Sequence, residues 1–542
     1  MTYRRATCRH CSAEMADSGT RLGLHLSECG AYQERLGNNS GLSNSGGVRQ
    51  LRVHSFLDRM NANEQALIDR ALGDFIFGLG LPLCLVSAPH FKSLMNTLRP
   101  AYKPPSREAI STTVLDSHYD MVYANVLDTI NAAESVSLVL DSWTNRRNES
   151  VVGFTVTTPK PFFLKAIFAG ENRHTANFYF EAVSNIIQEL GRAKVTAVVT
   201  DNAAAMRSMW RLVEDSFPGI VCLGCAAHTL NLLLGDVFEL DDPKFILKTC
   251  KDVCKLFAYS SIADATFQRN RREPGITSGL VQPVKTRWAS YLDCLQSVLK
   301  NKVALQQSIL MPAVASQLDG QLRNSILSEG TFAQIAELLS FLVPIKGLIA
   351  VAEADSSSAS KMFKSYFEFL REVRSLTFTW KADLECILDR RGPILSQPVL
   401  LLSCVLDPED QGRSLEGFVN NFDREVEKAV ELLIPDLSAR EVIFAQLMQY
   451  RARAGPFESR VIWTVAERGI LDAISWWKSS SRAPELSSLA IRVLGIPLSS
   501  ASIERVWSTY DMIHSQTRSR LDNERAAKLV FIYKNLRSME DE

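Results

Sequence analysis

The pattern of apolar and polar positions along the chain predicts helices first and strands later. Residues 63–77 and 106–132 carry apolar residues at three- and four-residue spacing, which is typical of amphipathic helices. Ser106 follows a double-proline break and is therefore a candidate N-cap. From residue 135 the pattern changes to short β-branched and aromatic runs, which indicates that a sheet begins there.

Three strands are predicted in the runs VSLVLD, VVGFTVTT and FFLKAIFAG, and the short turns between them favour an antiparallel meander. A helix is predicted at 176–190, followed by a buried strand in KVTAVVTD, a helix near 203–215 and a last strand in GIVCLGC. The order β, β, β, α, β, α, β is that of ribonuclease-H-like domains. The order of elements alone does not establish a function.

Helical patterns dominate from about 228 to 490, and a final helix begins near LSSASIERVWSTYDMI, with Ser499 or Ser500 as candidate N-caps. We expect this helix to complete the sheet domain across a long insertion. The predicted fold class is therefore α/β: a ribonuclease-H-like domain that a large all-helical insertion interrupts, preceded by a helical region and a small N-terminal unit.

Length and composition indicate several domains and a reducing compartment. A chain of 542 residues exceeds the size of one ordinary core, and 46% hydrophobic and 22% charged residues are typical of a soluble globular protein. The N-terminus lacks the apolar segment of a signal peptide, and no stretch of 18 uncharged apolar residues predicts a membrane span. The 11 unevenly spaced cysteines favour reduced thiols or metal ligands in a nuclear or cytosolic protein.

Residues 37–47, GNNSGLSNSGG, cannot bury an apolar face and predict a flexible linker. The predicted divisions are a finger at 1–36, the linker at 37–50, a helical DNA-binding or oligomerisation region at 51–134, the first part of the sheet domain at 135–258, the helical insertion at 259–483, and the closing part at 484–542.

The N-terminal unit carries four metal-ligand side chains at zinc-finger spacing. Two residues separate Cys8 from Cys11, and three separate His25 from Cys29. Burial cannot stabilise so short a unit, so a tetrahedral zinc site explains how it folds. His10 is a less favoured ligand because it lies inside the first pair. Four nearby arginines favour DNA over a protein as the partner: Arg4, Arg5, Arg9 and Arg21.

Two aspartates follow predicted strands and a glutamate lies on the closing helix. Asp141 ends LVLD and Asp201 ends AVVTD, so both carboxylates are expected at the same edge of the sheet. Glu504 is the candidate third ligand for magnesium or manganese, because hard cations prefer carboxylate oxygens and phosphodiester cleavage uses such ions. The alternative is that each aspartate only forms a turn or caps a helix.

Cys222, Cys225 and His228 have the spacing of three zinc ligands, but a fourth has no obvious position, and buried cysteine usually acts as a small hydrophobic residue. Trp288 is either a core aromatic residue or a ring that stacks on a displaced base. Both alternatives stay open from the residues alone.

The chain resembles the hAT transposases, the superfamily of the hobo and Activator elements. Seven blocks in family order carry the resemblance: LPLCLVSAPHFKSLMNTLRPAYKPPSR, VLDSWT, VVTDNAAAM, CAAHTLNLLL, VKTRWAS, VLDP and LSSLAIRVLGIPLSSASIERVWS. The resemblance implies that Asp141, Asp201 and Glu504 form the catalytic acidic site. It also implies that Cys225, His228 and Trp288 serve DNA near that site, and that 484–537 contributes to dimerisation.

The N-terminal unit resembles a BED-type zinc finger, although it lacks the aromatic-rich lead-in of that type. Together the resemblances imply a nuclear, oligomeric transposase that binds zinc in its finger and magnesium or manganese in its core. Its expected partner is double-stranded DNA, including transposon ends, with no membrane and no small-molecule substrate. The alternative is a domesticated, catalytically silent DNA-binding regulator that keeps the finger and the dimerisation region.

Overall fold

The computed structural model describes residues 5–8, 11–16, 19–31, 60–144, 148–158, 160–170, 174–272, 277–283, 289–354, 358–479, 482–513 and 521–540. The contacts divide the chain into two units. One comprises Met1–Asn61 and Asn96–Tyr102, and the other comprises Ala62–Met95 and Lys103–Glu542. The predicted linker at 37–50 lies outside the described residues.

The described N-terminal residues of the first unit form a small antiparallel hairpin followed by a helix. Strands β1 (Arg5–Thr7) and β2 (Glu14–Ala16) pair in antiparallel register, and helix α1 (Gly19–Glu28) follows them. These elements are too short to enclose an apolar core of their own. The stability of the unit must therefore come from another source, and its cysteine and histidine side chains are the candidates for it.

A five-stranded sheet forms the centre of the second unit. Its strands are β3 (Val136–Thr144), β4 (Ser150–Thr157), β5 (Pro161–Phe168), β6 (Val195–Thr200) and β7 (Val221–Gly224). The order across the sheet is β5, β4, β3, β6, β7. The first three strands form the predicted antiparallel meander, and β3, β6 and β7 are parallel.

Helices precede the sheet and alternate with its later strands, as the sequence pattern predicts. They are α2 (Ala62–Gly78), α3 (Pro89–Leu98), α4 (Arg107–Ser111), α5 (Thr113–Ala132), α6 (Ala176–Leu190) and α7 (Ala204–Ser216), with short 3₁₀ helices at Leu83–Ser87 and Arg192–Lys194. The predicted N-cap is confirmed, because the Ser106 hydroxyl accepts a hydrogen bond from the Ala109 amide at 3.0 Å.

Within its described residues, the region between β7 and the closing helices contains helices and connecting loops but no strand. Its helices are α8 (Ala226–Phe238), α9 (Asp241–Tyr259), α10 (Ser261–Arg272), α11 (Ala289–Lys300), α12 (Lys302–Ile309), α13 (Pro312–Ala315), α14 (Gly320–Leu327), α15 (Glu329–Glu353), α16 (Ala359–Ser375), α17 (Lys381–Leu395), α18 (Pro398–Leu406), α19 (Phe422–Leu433), α20 (Leu437–Arg451), α21 (Arg460–Glu467) and α22 (Ala473–Lys478), with 3₁₀ turns at Arg413–Leu415 and Gly455–Phe457.

Helix α15 is long and apolar enough to cross a membrane by length and composition alone, with a window of mean hydropathy 2.0. Glu337 and Lys346 interrupt its apolar run, so the helix contains no stretch of 18 uncharged apolar residues. Leu338, Phe341 and Ile345 are buried, and the helix packs against α8, α9, α11 and α16. We therefore interpret α15 as a core helix of the helical region.

Three closing helices return to the sheet: α23 (Pro484–Leu494), α24 (Ala501–Ile513) and α25 (Asn523–Glu540). Helix α25 covers the edge strand β5. The buried Asn535 side chain accepts a hydrogen bond from the Phe163 amide at 2.9 Å and donates one to the Phe163 carbonyl at 2.8 Å. This contact satisfies backbone groups that an edge strand otherwise exposes.

Segment 484–537, which the resemblance associates with dimerisation, carries apolar side chains that lie mostly inside the chain. Leu486, Leu489, Leu494, Leu529 and Ile532 are all buried. They therefore build the core of this chain and cannot themselves contact a second copy in this arrangement.

Candidate functional site

Asp141 lies on the central strand β3, opposite Gly153 of β4. The Trp507 indole nitrogen on α24 donates a hydrogen bond to the Asp141 carboxylate at 2.9 Å. A Cβ at Gly153 would lie 2.4 Å from the Trp507 ring, which is closer than atoms can approach. Glycine at this position therefore lets α24 pack directly over β4 and reach Asp141.

Asp201 and Glu504 reach the same region from two other parts of the chain. Asp201 directly follows β6, and its carboxylate accepts a hydrogen bond from the Ala203 amide at 2.9 Å. Glu504 lies exposed in the first turn of α24, where the Ser500 hydroxyl donates to its carboxylate at 3.2 Å. Asp201 thus also stabilises a turn, but this does not prevent its second carboxylate oxygen from acting elsewhere.

The three carboxylates interact electrostatically. Burial is the largest cause that raises the pKa of the Asp141 carboxyl, and the negative charges of Glu504 and Asp201 act in the same direction. The Trp507 hydrogen bond acts in the opposite direction, and the resulting pKa is about 6. The carboxylates are not as closely grouped as the ligand atoms of the N-terminal unit. The three predicted residues thus lie close enough to interact. The negative charges of Asp201 and Glu504 disfavour the ionisation of Asp141.

The raised pKa of Asp141 predicts a measurable cost to stability. An unfolded aspartate has a pKa of about 3.9, so the folded chain holds a proton more tightly, and stability is lost as the pH rises from about 4 to about 6. Asparagine at this position removes the charge and keeps an oxygen for Trp507. We expect Asp141→Asn to stabilise the protein in divalent-free buffer at pH 7.5 by about 1–3 kcal/mol.

Thermal unfolding at pH 7.5 and pH 4 measures this difference, which should disappear at the lower pH. Asp215→Asn is the matched control, because Asp215 is exposed at the end of α7, away from the three carboxylates. A lower unfolding temperature for Asp141→Asn at pH 7.5 would mean that the charged carboxylate stabilises the fold and would contradict the prediction.

Cys225 joins the two halves of the sheet domain. Its sulfur accepts hydrogen bonds from the His228 amide and from the Ser500 amide, both at 3.3 Å. It is the N-cap of α8, and burial raises the pKa of its thiol. A neutral thiol that already accepts two amide hydrogen bonds is poorly suited to bind a metal ion.

The alternative of a zinc ion at Cys222, Cys225 and His228 is therefore not supported by the geometry. The Cys222 thiol is also buried and points to the Trp210 carbonyl at 3.8 Å, and burial raises its pKa well above the usual value. Within the described part of the chain, these three residues do not form a metal-sized cluster. His228 lies half-buried in the first turn of α8. Its amide donates to the Cys225 sulfur, which also accepts from the Ser500 amide just before α24, the helix that carries Glu504.

Some sequence predictions concern residues whose side chains lie outside the described part of the chain. These are Trp288, His10, Arg4, Arg5, Arg9 and Arg21. Their suggested contacts with DNA or zinc therefore stay predictions.

Aromatic and hydroxyl side chains around Asp141 were not anticipated from the sequence. The half-buried Trp143 ring stacks on Trp507 with centroids 5.5 Å apart and an angle of 13°. On the other face of β3, the Tyr179 hydroxyl donates to Ser142 at 3.2 Å and contacts His174. Side chains alternate along a strand, so Asp141 and Trp143 lie on the same face of β3. This alternation is the signal in the sequence that could have predicted Trp143 beside Asp141.

The N-terminal unit brings four ligand side chains together. The ligand atoms of Cys8, Cys11, His25 and Cys29 all lie within 4.8 Å of one another. The Cys8 and Cys29 sulfurs are 4.0 Å apart, and the Cys11 sulfur is 3.1 Å from His25 Nε2. Ligands about 2.3 Å from a tetrahedral zinc ion have separations of this size, so the donor set fits zinc.

Two family models match parts of the chain. A domain of unknown function, DUF659, matches residues 105–253, and the hAT family C-terminal dimerisation region matches residues 457–536. The first match contains Asp141 and Asp201, and the second contains Glu504. The C-terminal match supports homo-oligomerisation.

Curated relatives include zinc finger BED domain-containing protein 4 of Homo sapiens, which is 20% identical over 507 residues, or 84% of this chain and 42% of the relative. Zinc finger BED domain-containing protein 6 of Mus musculus is 20% identical over 581 residues, or 91% of this chain and 57% of the relative. The chain spans about half the length of these relatives. The matched regions and the Cys/His cluster together support a hAT-type transposase-like protein with an N-terminal zinc finger.

Proposed function

We propose that this chain is a metal-dependent DNA transposase that cleaves DNA and transfers strands. The observation that carries the proposal is the meeting of Asp141, Asp201 and Glu504, which come from three separated parts of the sequence and interact electrostatically at one region of the sheet. Among the described residues, no ion pair joins a basic side chain to any of these three carboxylates. A group of carboxylates of this kind suits a cation site better than a structural ion pair.

The order of strands supports a ribonuclease-H-like assignment for the sheet domain. Three antiparallel strands are followed by two parallel strands on the other side of β3, and α24 returns to the sheet after the helical insertion. We propose the divisions given by the sequence: 1–36, 37–50, 51–134, 135–258, 259–483 and 484–542.

The three carboxylates would hold magnesium or manganese. When bound, such ions activate water and stabilise the leaving oxygen of a phosphodiester. The chain's own residues orient this site: Trp507 holds the Asp141 carboxylate through its indole, and Ser500 holds Glu504. We propose that His228 and Trp288 contact DNA beside the carboxylates, with Cys225 as a positioning residue that fixes the start of α8 against the loop before α24.

The remaining parts are assigned to recognition. We propose that the zinc finger binds double-stranded DNA, that transposon ends are the specific sites, and that two or more copies assemble in the nucleus. With 60 basic and 60 acidic residues the chain has no overall positive field, so local Arg and Lys groups must contact the phosphates.

A second candidate function is a catalytically silent DNA-binding regulator. The names of both curated relatives refer to a zinc finger BED domain and not to a transposase. In that case the three acidic residues are retained without catalysing cleavage, and the finger and the oligomer perform the function.

The two functions are separated by a nicking assay. Inverted repeats that flank the gene supply the DNA ends, and labelled duplexes carrying them are incubated with the purified full chain in magnesium or manganese. Nicks at the repeat boundary in the presence of metal support the transposase. Binding to verified ends without nicking in either metal supports the regulator.

A further inference from the structure

A cleft of about 390 Å³ lies between α24, α25 and the strands β4 and β5. Its basic side chains are Arg505 on α24 and Lys534 and Arg537 on α25. No carboxylate is among the described residues that line it. Arg505 also donates a hydrogen bond to the Glu353 carbonyl at 3.3 Å. With Lys534 and Arg537 it makes the local potential of this concave surface positive, although the chain as a whole is neutral.

Two hydroxyl groups in the wall of this cleft lack a hydrogen-bond partner within the described structure. They are Thr155 Oγ1, on a residue that is only 2% exposed, and Ser502 Oγ. A buried hydroxyl without a partner has a free-energy cost, because it has lost its hydrogen bonds to water. A ligand whose oxygens accept hydrogen bonds from both hydroxyls removes that cost, which is a reason for the cleft to be occupied.

The packing of α24 explains why the cleft forms here. Gly153 and Thr155 lie on the same face of β4, and the Ile503 and Trp507 side chains contact β4 at Gly153. The pairing of β4 with β5 shifts its register between Phe154 and Thr155. Leu164 is the extra residue on β5, so β5 bends beside Thr155, where the cleft lies.

We propose that this cleft binds a phosphate group. Guanidinium and ammonium groups supply charge-assisted hydrogen bonds, and the hydroxyls of Thr155 and Ser502 can donate to further oxygens of the same group. A phosphate carries enough acceptor oxygens for this donor set.

The backbone of DNA is the source of phosphate that the position of the cleft favours. Arg505 directly follows Glu504 on α24, so the cleft adjoins the acidic site on the next face of the same helix. The choice of DNA rests on the proposed function, whereas the binding of phosphate does not. A strand held here would be positioned by its backbone without readout of its bases.

The test compares the full chain with the double variant Lys534→Gln/Arg537→Gln in EDTA, so that cleavage plays no part. One arm measures binding of a fluorescent random-sequence duplex against salt. We expect about tenfold weaker binding at about 100 mM salt and a salt slope smaller by about 2, because two phosphate contacts are lost. Arg525→Gln, an exposed arginine on the same helix, is the control and should change neither value.

The second arm measures the rise in unfolding temperature caused by millimolar pyrophosphate. Loss of this rise and of duplex binding in the double variant supports the cleft as a DNA phosphate site. Loss of the pyrophosphate effect with unchanged duplex binding overturns DNA as the source and assigns the site to a free phosphate or nucleotide. Unchanged behaviour in both arms overturns the proposal. Neither binding arm depends on cleavage. A failure of the proposed transposase function would therefore appear in the nicking assay and leave these binding results unchanged.

Thr155→Val separates binding from folding. Valine has nearly the shape of threonine and removes the unpartnered hydroxyl, so the unliganded variant should unfold at the same temperature or higher. Its affinity for pyrophosphate should nevertheless fall severalfold. A variant that loses stability without losing pyrophosphate affinity would show that the hydroxyl only supports the fold, and would remove Thr155 from the site.

Discussion

Replacement of Glu504 by Gln is expected to abolish metal-dependent nicking of the element's ends while leaving folding and DNA binding nearly intact. Glu504 is exposed, so its charge contributes little to stability, and a glutamine oxygen still accepts the Ser500 hydrogen bond. The amide has no negative charge with which to hold a divalent cation. Loss of one ligand should raise the barrier by several kcal/mol, or reduce the rate about a hundredfold or more.

The measurement is the initial rate of magnesium-dependent nicking, with duplex binding recorded in parallel. Glu441→Gln on α20 is a matched control, because it removes an exposed glutamate charge in the helical region, away from the acidic site. Equal nicking by the wild type and Glu504→Gln would exclude Glu504 from the site. Reduced nicking by the Glu441 variant as well would point to a general charge effect.

The alternation and spacing of apolar residues were sufficient to predict the sheet and its neighbouring helices. The predicted helix at 176–190 coincides with α6, and Asp201 directly follows β6 as predicted. Asp141, which was predicted to end its strand, lies within β3 instead, because the strand continues to Thr144 in its pairing with β4. Such features are local: a strand or helix of this length depends mainly on the pattern within it. The spacing of the N-terminal cysteines and histidine was likewise informative, because a zinc site needs few residues in a fixed arrangement.

Contacts between distant segments were not predictable in the same way. The Trp507 hydrogen bond to Asp141 joins positions 366 residues apart, and it depends on the missing side chain of Gly153. Asn535 resembles an ordinary polar residue of an exposed helix, yet it is fully buried against β5. Neither role is visible in periodicity, because each is decided by the packing of the closing helices on the sheet.

Cys225 illustrates how one motif can serve two interpretations. Its spacing from Cys222 and His228 resembles a metal site, whereas the structure gives its sulfur to two backbone amides. The difference arises because Cys222 lies within β7 and Cys225 begins α8, so the strand-to-helix turn directs the thiols to separate surroundings.

The N-terminal unit is expected to contain one zinc ion per chain, and Cys29→Ser should remove it. Cys29 and Cys8 are buried with their sulfurs 4.0 Å apart, while β1, β2 and α1 are too short to form an apolar core. Zinc binding must therefore supply most of the folding free energy, and structural zinc in comparable fingers contributes about 10 kcal/mol or more. Serine is a poor zinc ligand, so the variant should lose both the ion and the fold of the unit.

Metal content of the purified full chain, measured by plasma mass spectrometry after chelating buffer, tests this expectation, and limited proteolysis reports the fold of the N-terminal unit. Cys84→Ser is the control, since Cys84 is an exposed thiol outside the cluster and its loss should leave the zinc content unchanged. If the finger also supplies phosphate contacts, the Cys29 variant should bind duplex DNA more weakly and with a smaller salt slope. Two outcomes would contradict the prediction: a wild-type chain without zinc, or a Cys29 variant that retains one ion and resists protease as well as the wild type does. Either would show that the four side chains do not act together as zinc ligands, and the stability of the unit would then need another explanation.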